Sequence, residues 1–379
     1  MSKPYNFSNN SNHNTNETKK ESKSLTYADS GVNITAGAEA VERIKQAVKS
    51  TYSKDVLTSL GSFGSAISLK NILKEYSDPI LVQSTDGVGT KLIIAKQMNQ
   101  FEGVGKDVVS NNVNDMLCMG AKPITFLDYI GCSSLDPQQM ETIVTGMAKE
   151  CAEYGISLVG GEMAEMPGVY VRGEVDVVGF VTGVVEKSKI ITGENIKSGD
   201  IVLGLKSSGL HTNGFSLARK ALFDIGNCTP MDSFGTICMR YNINPEEFSE
   251  QRLGDVLLES HRNYTTPIMA IMNSGILIKG LSHITGGGFI ENIPRIMPKG
   301  LGVKIKKSSY VVPPIFQLIG KVANIEEKEI YRTLNMGIGM VMIIDSNDKD
   351  KIFELIEGIE DQEIVELGSV NSKEGVVLI

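Results

Sequence analysis

The sequence contains no tryptophan, and its five cysteines (Cys118, Cys132, Cys151, Cys228 and Cys238) never fall into a C-x-x-C spacing. The first absence argues against an aromatic binding platform. The second removes the usual zinc and redox motifs, and an odd number of thiols in a chain of 379 residues does not describe a secreted disulfide scaffold. Buried, reduced thiols are expected. No apolar stretch reaches the roughly 18 residues that span a bilayer, and the first residues hold no apolar signal core. A cytoplasmic protein without membrane attachment is therefore expected. Basic charge is also scarce. With 37 Lys and Arg against 45 Asp and Glu, the net charge of −8 repels a phosphate backbone and disfavours nucleic acid as a partner.

What is present is an ordinary globular composition, 41% hydrophobic and 22% charged, long enough for two domains with separate cores. Residues 1–24 are rich in Asn, Ser, Lys and Glu with almost nothing apolar after Phe7, so a disordered tail is expected. That stretch has no Arg and carries Glu17 and Glu21, which does not match a transit peptide. Order is expected from Leu25. Val41, Ile44 and Val48 then mark an amphipathic helix over Gly37 to Lys49, with Lys45 on its solvated side. Gly61-Ser62-Phe63-Gly64-Ser65 reads as a glycine loop able to close over a ligand, or equally as a surface turn.

The segment Thr85-Asp86-Gly87-Val88-Gly89-Thr90-Lys91 follows the apolar run Ile80-Leu81-Val82 and leads into helical Leu92 to Lys96. It matches neither a P-loop nor a G-x-G-x-x-G fingerprint. Even so, an aspartate at a strand end can hold a metal, and glycines let backbone N–H groups approach phosphate oxygens. An ordinary strand-to-helix connection stays open beside that. Further on, Asp107, Asn111 and Asp115 recur every four residues and share one face of a predicted helix over Asp107 to Met119. With no basic partner in the pattern, that face suits magnesium. Gly120-Ala121-Lys122-Pro123 stops the helix, Ile124 to Leu127 is a strand, and Asp136-Pro137 caps a scaffold helix that Gly155 ends. After the strand Ile156 to Val159, Gly160-Gly161-Glu162 places a second acid at a glycine-rich strand exit. If Asp86, Asp115 and Glu162 converge, each pair repels by of order 3 kcal/mol at about 5 Å and effective ε near 20, which a cation must offset. If they diverge, no such site exists.

Val175 to Val185 reads as a strand and Glu186 to Ser198 as the domain boundary. The second half repeats strand, Ser/Gly loop, helix at Ile201 to Leu205 and Ser207 to Ser216, with His211 in the loop beside small hydroxyl and glycine residues that suit an anion. Residues 225–250 are expected to be loop-rich, and Gly254 to Ser274 a helix broken at Pro267. The strand Ile276 to Leu281 leads to His283 and to Gly286, Gly287 and Gly288, whose N–H groups at a helix start form a ready anion site; Arg295 is either a phosphate partner or a surface charge. From Glu326 on, helix, turn, strand, helix and two short strands read as domain closure. The first half collects carboxylates and the second histidines and glycines, which suits a magnesium nucleotide facing an anionic substrate across a cleft.

Seven segments in order, Tyr27 to Ala36, Gly61 to Gly64, Thr85 to Lys91, Asp115 to Pro123, Val159 to Gly168, Ser207 to Phe215 and His283 to Arg295, resemble the phosphoribosylformylglycinamidine cyclo-ligase (AIR synthetase) family from about Leu25 to the C-terminus. The resemblance implies an α/β (α+β) protein of two domains: residues 25–195 for ATP binding and dimerisation, and residues 196–379, an α/β domain on the substrate and phosphate side. It implies a homodimer in which the N-terminal domain pairs with its twin to close a β-barrel. It also implies ATP-dependent cyclisation of formylglycinamidine ribonucleotide to 5-aminoimidazole ribonucleotide (AIR), with ATP and Mg2+ as cofactors. By the same resemblance Asp86, Asp115 and Glu162 hold magnesium and phosphates, and the nucleotide signature falls on Asp115, Gly120, Ala121 and Pro123. Further nucleotide contacts fall on Gly61, Gly64, Gly87, Gly89, Thr90, Lys91, Asp107, Asn114, Gly161, Gly286, Gly287 and Gly288. His211 and His283 stand as catalytic candidates with Asp86 and Asp115. Ala28 stands where many members have Lys, and the Asn-rich tail has no counterpart. Siblings acting on selenide, thiamine phosphate or a hydrogenase-maturation carbamoyl group are the alternative, as is a non-catalytic nucleotide-binding subunit.

Overall fold

The structure, a computed structural model, describes residues 25–379, so the expected disordered tail lies outside the described residues. Alternating apolar segments build a first sheet from β1 (Pro79–Gly87), β2 (Lys122–Cys132), β3 (Ser157–Glu165) and β4 (Val175–Glu186), in the order β1-β4-β2-β3. Only β2 and β3 run parallel. Its inner face is covered by α1 (Ile34–Ser50), α4 (Glu102–Leu117) and α5 (Pro137–Glu153), while α2 (Leu69–Ile72) and α3 (Lys91–Met98) flank β1. Asn33 accepts from the Ala36 N–H and Asp136 from the N–H groups of Gln138 and Gln139, so α1 and α5 start where a side-chain oxygen satisfies otherwise orphaned donors. The packing of α4 against α5 depends on two glycines. A Cβ on Gly105 would stand 2.0 Å from the Ile143 carbonyl oxygen, and one on Gly146 would stand 2.1 Å from that of Glu102.

Among the described residues, nothing covers the outer face of this sheet. Leu81, Leu127 and Phe180 are exposed there, with Phe180 opposite Leu127 in the β4–β2 register.

A second sheet comprises β5 (Ile201–Lys206), β6 (Ile278–His283), β7 (Gly302–Ile305), β8 (Ile338–Ile344), β9 (Ile364–Asn371) and β10 (Gly375–Leu378), in the order β10-β7-β9-β5-β8-β6. All its neighbours are antiparallel except β10 and β7. Around it lie α6 (Phe215–Arg219), α7 (Phe234–Arg240), α8 (Leu253–Leu258), α9 (Thr265–Asn273), α10 (Gly288–Asn292), α11 (Pro314–Val322), α12 (Glu327–Thr333) and α13 (Lys349–Glu357). Helix α4 is shared between the halves. Twelve of its sixteen residues are buried, and the core around Val109 and Val113 continues into Leu205, Tyr264 and Met340 of the second half.

Three expectations change. The helix expected over residues 254–274 is two helices, and its break is the extended stretch 259–264 rather than Pro267. That proline sits in the first turn of α9, where a missing N–H costs nothing. The stretch 225–250 is not all loop, because Ser233 accepts from the Thr236 N–H and caps α7. And β3 runs through Gly160, Gly161 and Glu162 instead of ending before them. A side chain on Gly161 would stand 2.3 Å from Asp128 Oδ1, so this glycine keeps the strand straight past a neighbouring carboxylate.

Behind α4, Ser110 Oγ donates to the buried Glu150 carboxylate at 2.6 Å, and burial pushes that acid up to about 7. The unfolded chain releases this proton near its ordinary value of 4.5, whereas the folded chain keeps it to about 7. Stability is thus predicted to fall as pH rises through that window, by up to about 3 kcal/mol from this group. Glu150→Gln, which still accepts from Ser110, is expected to flatten the decline; urea midpoints at pH 5 and pH 8 that shift equally in both proteins would contradict this.

Candidate functional site

The polar face of α4 is the starting point. The sequence pattern gave Asp107 no basic partner, but the fold supplies one: Lys91 Nζ lies 2.7 Å from Asp107 Oδ2, and both side chains are wholly buried. The ammonium also donates to the Glu259 carbonyl at 2.7 Å. Asp107 Oδ1 accepts from the His261 N–H at 2.7 Å, while Asn114 donates to the Arg262 carbonyl and accepts from the Tyr264 N–H. Lys91, Asp107 and Asn114 therefore bind the extended segment 259–264 as a strap between the two halves. This corrects their expected place around a nucleotide, because their polar atoms are already engaged and out of solvent.

The strap carries a histidine that sequence reasoning missed. His261 Nε2 lies 3.0 Å from His283 Nε2, and His283 Nδ1 lies 2.8 Å from Asp115 Oδ1. His211 stacks on His261 with ring centroids 3.9 Å apart. Its backbone is left-handed, at φ 64°, an uncommon conformation for a residue with a Cβ. Among the described residues, these three imidazoles are the only group of three His, Cys, Asp or Glu side chains converging closely enough to share an ion. Burial, reinforced by neighbouring cations and imidazoles, holds His211 and His261 well below the ordinary histidine range, so both are neutral. Asp115 is partly open, its side chain 37% exposed. The signal that could have found His261 is the run Ser260-His261-Arg262-Asn263, four polar residues between apolar Leu258 and Tyr264.

Asp86, Asp115 and Glu162 do not form a three-carboxylate site within one chain. In register Asp86 faces Gly179, Gly179 faces Asp128, and Asp128 faces Gly161. With strands about 4.8 Å apart, Asp86 and the Gly161-Glu162 pair sit on opposite sheet edges, about 14 Å from one another. A magnesium site built from these three acids does not fit this chain alone.

The remaining candidates separate into two places. Gly61 and Gly64 are exposed in the loop that, with Gly161, Glu162 and the inner residues of α1, lines a cavity of about 680 Å³ beside β3. Asp128 also lines it, a second residue missed by sequence reasoning because it alternates inside an apolar strand; burial pushes its carboxyl up to about 7. The other place is where the turn after β1 meets the second half. There Gly87 ends β1, Gly89 turns at φ 68°, and Thr90 Oγ1 lies 3.1 Å from Ser216 Oγ of the second half. Across from it, Asn292 holds the carbonyls of Gly286 and Gly288, with Gly287 between them at φ 102°. Gly288 is buried, and a Cβ there would stand 2.1 Å from the Tyr331 carbonyl oxygen, so its reason is packing. Arg295 is exposed and reaches Asn292 at 3.3 Å. Gly120, Ala121 and Pro123 are buried in the turn from α4 to β2.

Two family models match the chain: the N-terminal domain of AIR synthase related proteins over residues 72–185 and their C-terminal domain over residues 197–379. Phosphoribosylformylglycinamidine cyclo-ligase from Thermoanaerobacter pseudethanolicus is 44% identical over 94% of this chain and 100% of its own length. The protein of that name from Bifidobacterium animalis subsp. lactis is 43% identical over 87% and 92%. Among solved structures, thiamine-monophosphate kinase from Stenotrophomonas maltophilia superposes with a TM-score of 0.63 at 14% identity, covering 89% of this chain and 95% of that one. The hydrogenase maturation protein HypE in complex with ATP superposes at 0.59 and 16% identity, over 89% and 90%. These two likenesses establish a shared fold and nothing finer.

Lys91→Met would leave the Asp107 carboxylate buried without its cation. The expected loss is about 3–5 kcal/mol in urea unfolding. A loss below about 1 kcal/mol would show that the strap is not held by this pair.

Proposed function

The chain belongs to the AIR synthase family, and we propose that it closes the imidazole ring of AIR from formylglycinamidine ribonucleotide at the expense of ATP, which leaves as ADP and phosphate. The observation that carries this is the 44% identity to a curated cyclo-ligase along that protein's whole length, with the histidine and glycine loops intact. Thiamine-monophosphate kinase and HypE, of other activity, share the fold at 14–22% identity.

The reaction is a phosphoryl transfer followed by a cyclisation. The formyl oxygen takes the γ-phosphoryl group, the amidine nitrogen attacks the same carbon, a C–N bond forms, the C–O bond breaks, and phosphate departs with the former formyl oxygen. Such chemistry asks the protein for positioning and charge placement. We place the nucleotide in the cavity beside the glycine loop, where Gly61, Gly64 and Gly161 bring main chain to its walls, and the ribonucleotide in the cleft edged by Thr90, Ser216 and Gly286. ATP enters as its magnesium complex. Asp115, partly open and fixed by His283, is the carboxylate presented to the reacting groups. His211, neutral and stacked, supports that arrangement from behind.

The uncovered face of the first sheet, with exposed Leu81, Leu127 and Phe180, is proposed to meet a second copy and close the barrel. Five free cysteines suit the reducing cytoplasm. No helix among the described residues is long and apolar enough to cross a membrane.

Purified protein given formylglycinamidine ribonucleotide, ATP and magnesium is expected to yield AIR and ADP in equal amounts; a folded protein without turnover would overturn the proposal. Asp115→Ala and His211→Ala are each expected to lose on the order of 100-fold in kcat, and values within a few-fold of wild type would remove that residue from its role. Phe180→Glu is expected to convert a dimer to monomers in sedimentation velocity, whereas an unchanged species would move the interface elsewhere.

A further inference from the structure

Four groups lie in a row: the Asp115 carboxylate, His283, His261 and Thr212. The contacts are 2.8 Å from Asp115 Oδ1 to His283 Nδ1, 3.0 Å between the two Nε2 atoms, and 3.3 Å from His261 Nδ1 to Thr212 Oγ1. Their proton positions follow from bonding rules. An ionised carboxylate only accepts, so a neutral His283 imidazole facing it carries its hydrogen on Nδ1 and leaves Nε2 bare. Two bare nitrogens cannot face each other at 3.0 Å, so His261 carries its hydrogen on Nε2 and donates it to His283. His261 Nδ1 is then bare and accepts from the Thr212 hydroxyl, whose oxygen accepts in turn from Asn213 Nδ2 at 3.4 Å. Every donor meets an acceptor, and the row has one polarity.

The surroundings fix the rings in this arrangement. The His261 main chain is tied to Asp107, the His283 N–H donates to Cys118 Sγ at 3.2 Å, and the His211 ring lies flat on His261. The same geometry argues against reading the three imidazoles as a metal site. Rings stacked 3.9 Å apart at 21° do not aim two lone pairs at one ion, and the row is already satisfied without one.

We propose that His261 is a positioning residue: its Nε2–H, donated to the bare His283 Nε2, holds the His283 ring in the orientation that keeps Nδ1–H on Asp115 Oδ1 and leaves the rest of that carboxylate open to solvent. His283 then acts behind Asp115, because its second nitrogen is occupied by His261 and is closed to substrate. The catalytic consequence rests on the cyclo-ligase reading; the tautomer assignment does not.

Two substitutions separate positioning from bulk. Glutamine at this position can place an amide N–H near the former Nε2, whereas the shorter asparagine reaches only the former Nδ1 position, toward Thr212. His261→Gln is expected to recover most of the wild-type kcat, and His261→Asn to lose about 10- to 100-fold in kcat with little change in KM. The sequence has only four histidines, so 15N-histidine labelling of the full chain gives few imidazole signals. His283 is expected as the Nδ1–H tautomer in wild type and His261→Gln, and, with its ring no longer held against Asp115, as a mixture in His261→Asn. Equal kcat in the two variants, or an unchanged His283 tautomer in His261→Asn, would overturn the proposal. So would stoichiometric zinc binding by the wild type that His261→Asn abolishes. Should either variant fail to fold, Thr212→Val probes the far end of the row. His261 is expected to keep its hydrogen on Nε2 there, because it still faces the bare His283 Nε2, and a shift to the Nδ1–H tautomer would overturn the proposed polarity. If the wild type makes no AIR, the cyclo-ligase reading fails by itself, and the labelled imidazoles still decide this one.

Discussion

A lysine ammonium and an aspartate carboxylate, each fully out of water and 2.7 Å apart, hold the rest of this molecule in place. Burying either charge alone would cost several kcal/mol, so the fold tolerates the pair only because both arrive together and both find further partners. Those partners are the carbonyl of Glu259 and the N–H of His261. The ion pair thereby decides where the extended segment between α8 and α9 runs, and so where the second half of the chain sits against α4. Asn114 repeats the arrangement one turn on, taking one donor and one acceptor from the same segment. Asp107 and Asn114 on this helix face are thus explained by facing backbone instead of solvent, while the buried Asn111 side chain between them has no hydrogen-bond partner among the described residues.

The candidate site inherits its geometry from that strap. Asp115 ends the same helix face, His283 ends β6, His211 lies in the loop after β5, and His261 comes from the strap, so four separate segments meet. None of the four could hold the row by itself. Neutral buried imidazoles are inexpensive to enclose when their ring nitrogens have partners, as those of His261 and His283 do and His211 Nδ1 does not, and here the Asp115 end is partly open to solvent while the His261 end is enclosed. The cavity proposed for the nucleotide is built separately, on the edge strand β3, where Gly161 admits a neighbouring carboxylate.

Much of this was legible in the residue order. The Asp136-Pro137 start, the turn after β1, the glycine stop at Gly120 and the last strand–helix–strand run are local signals, and each formed as its pattern predicts. What could not be read is what depends on distant partners. The α4 face was correctly singled out, but its cation lies before it in the chain and its backbone partners about 150 residues after it. His261 was hidden because apolar residues flank it on both sides at helical spacing, and Asp128 because it occupies one inward position of a strand. Glu162 was placed in a loop since two glycines commonly end a strand; here they continue it along a crowded edge.

The central claim is that the formyl oxygen takes the γ-phosphoryl group and leaves as phosphate rather than as water, and oxygen labelling tests it most directly. With 18O in the formyl group of formylglycinamidine ribonucleotide, each turnover should deliver the label into inorganic phosphate, one atom per AIR formed. Label released to water, with unlabelled phosphate, would contradict the account.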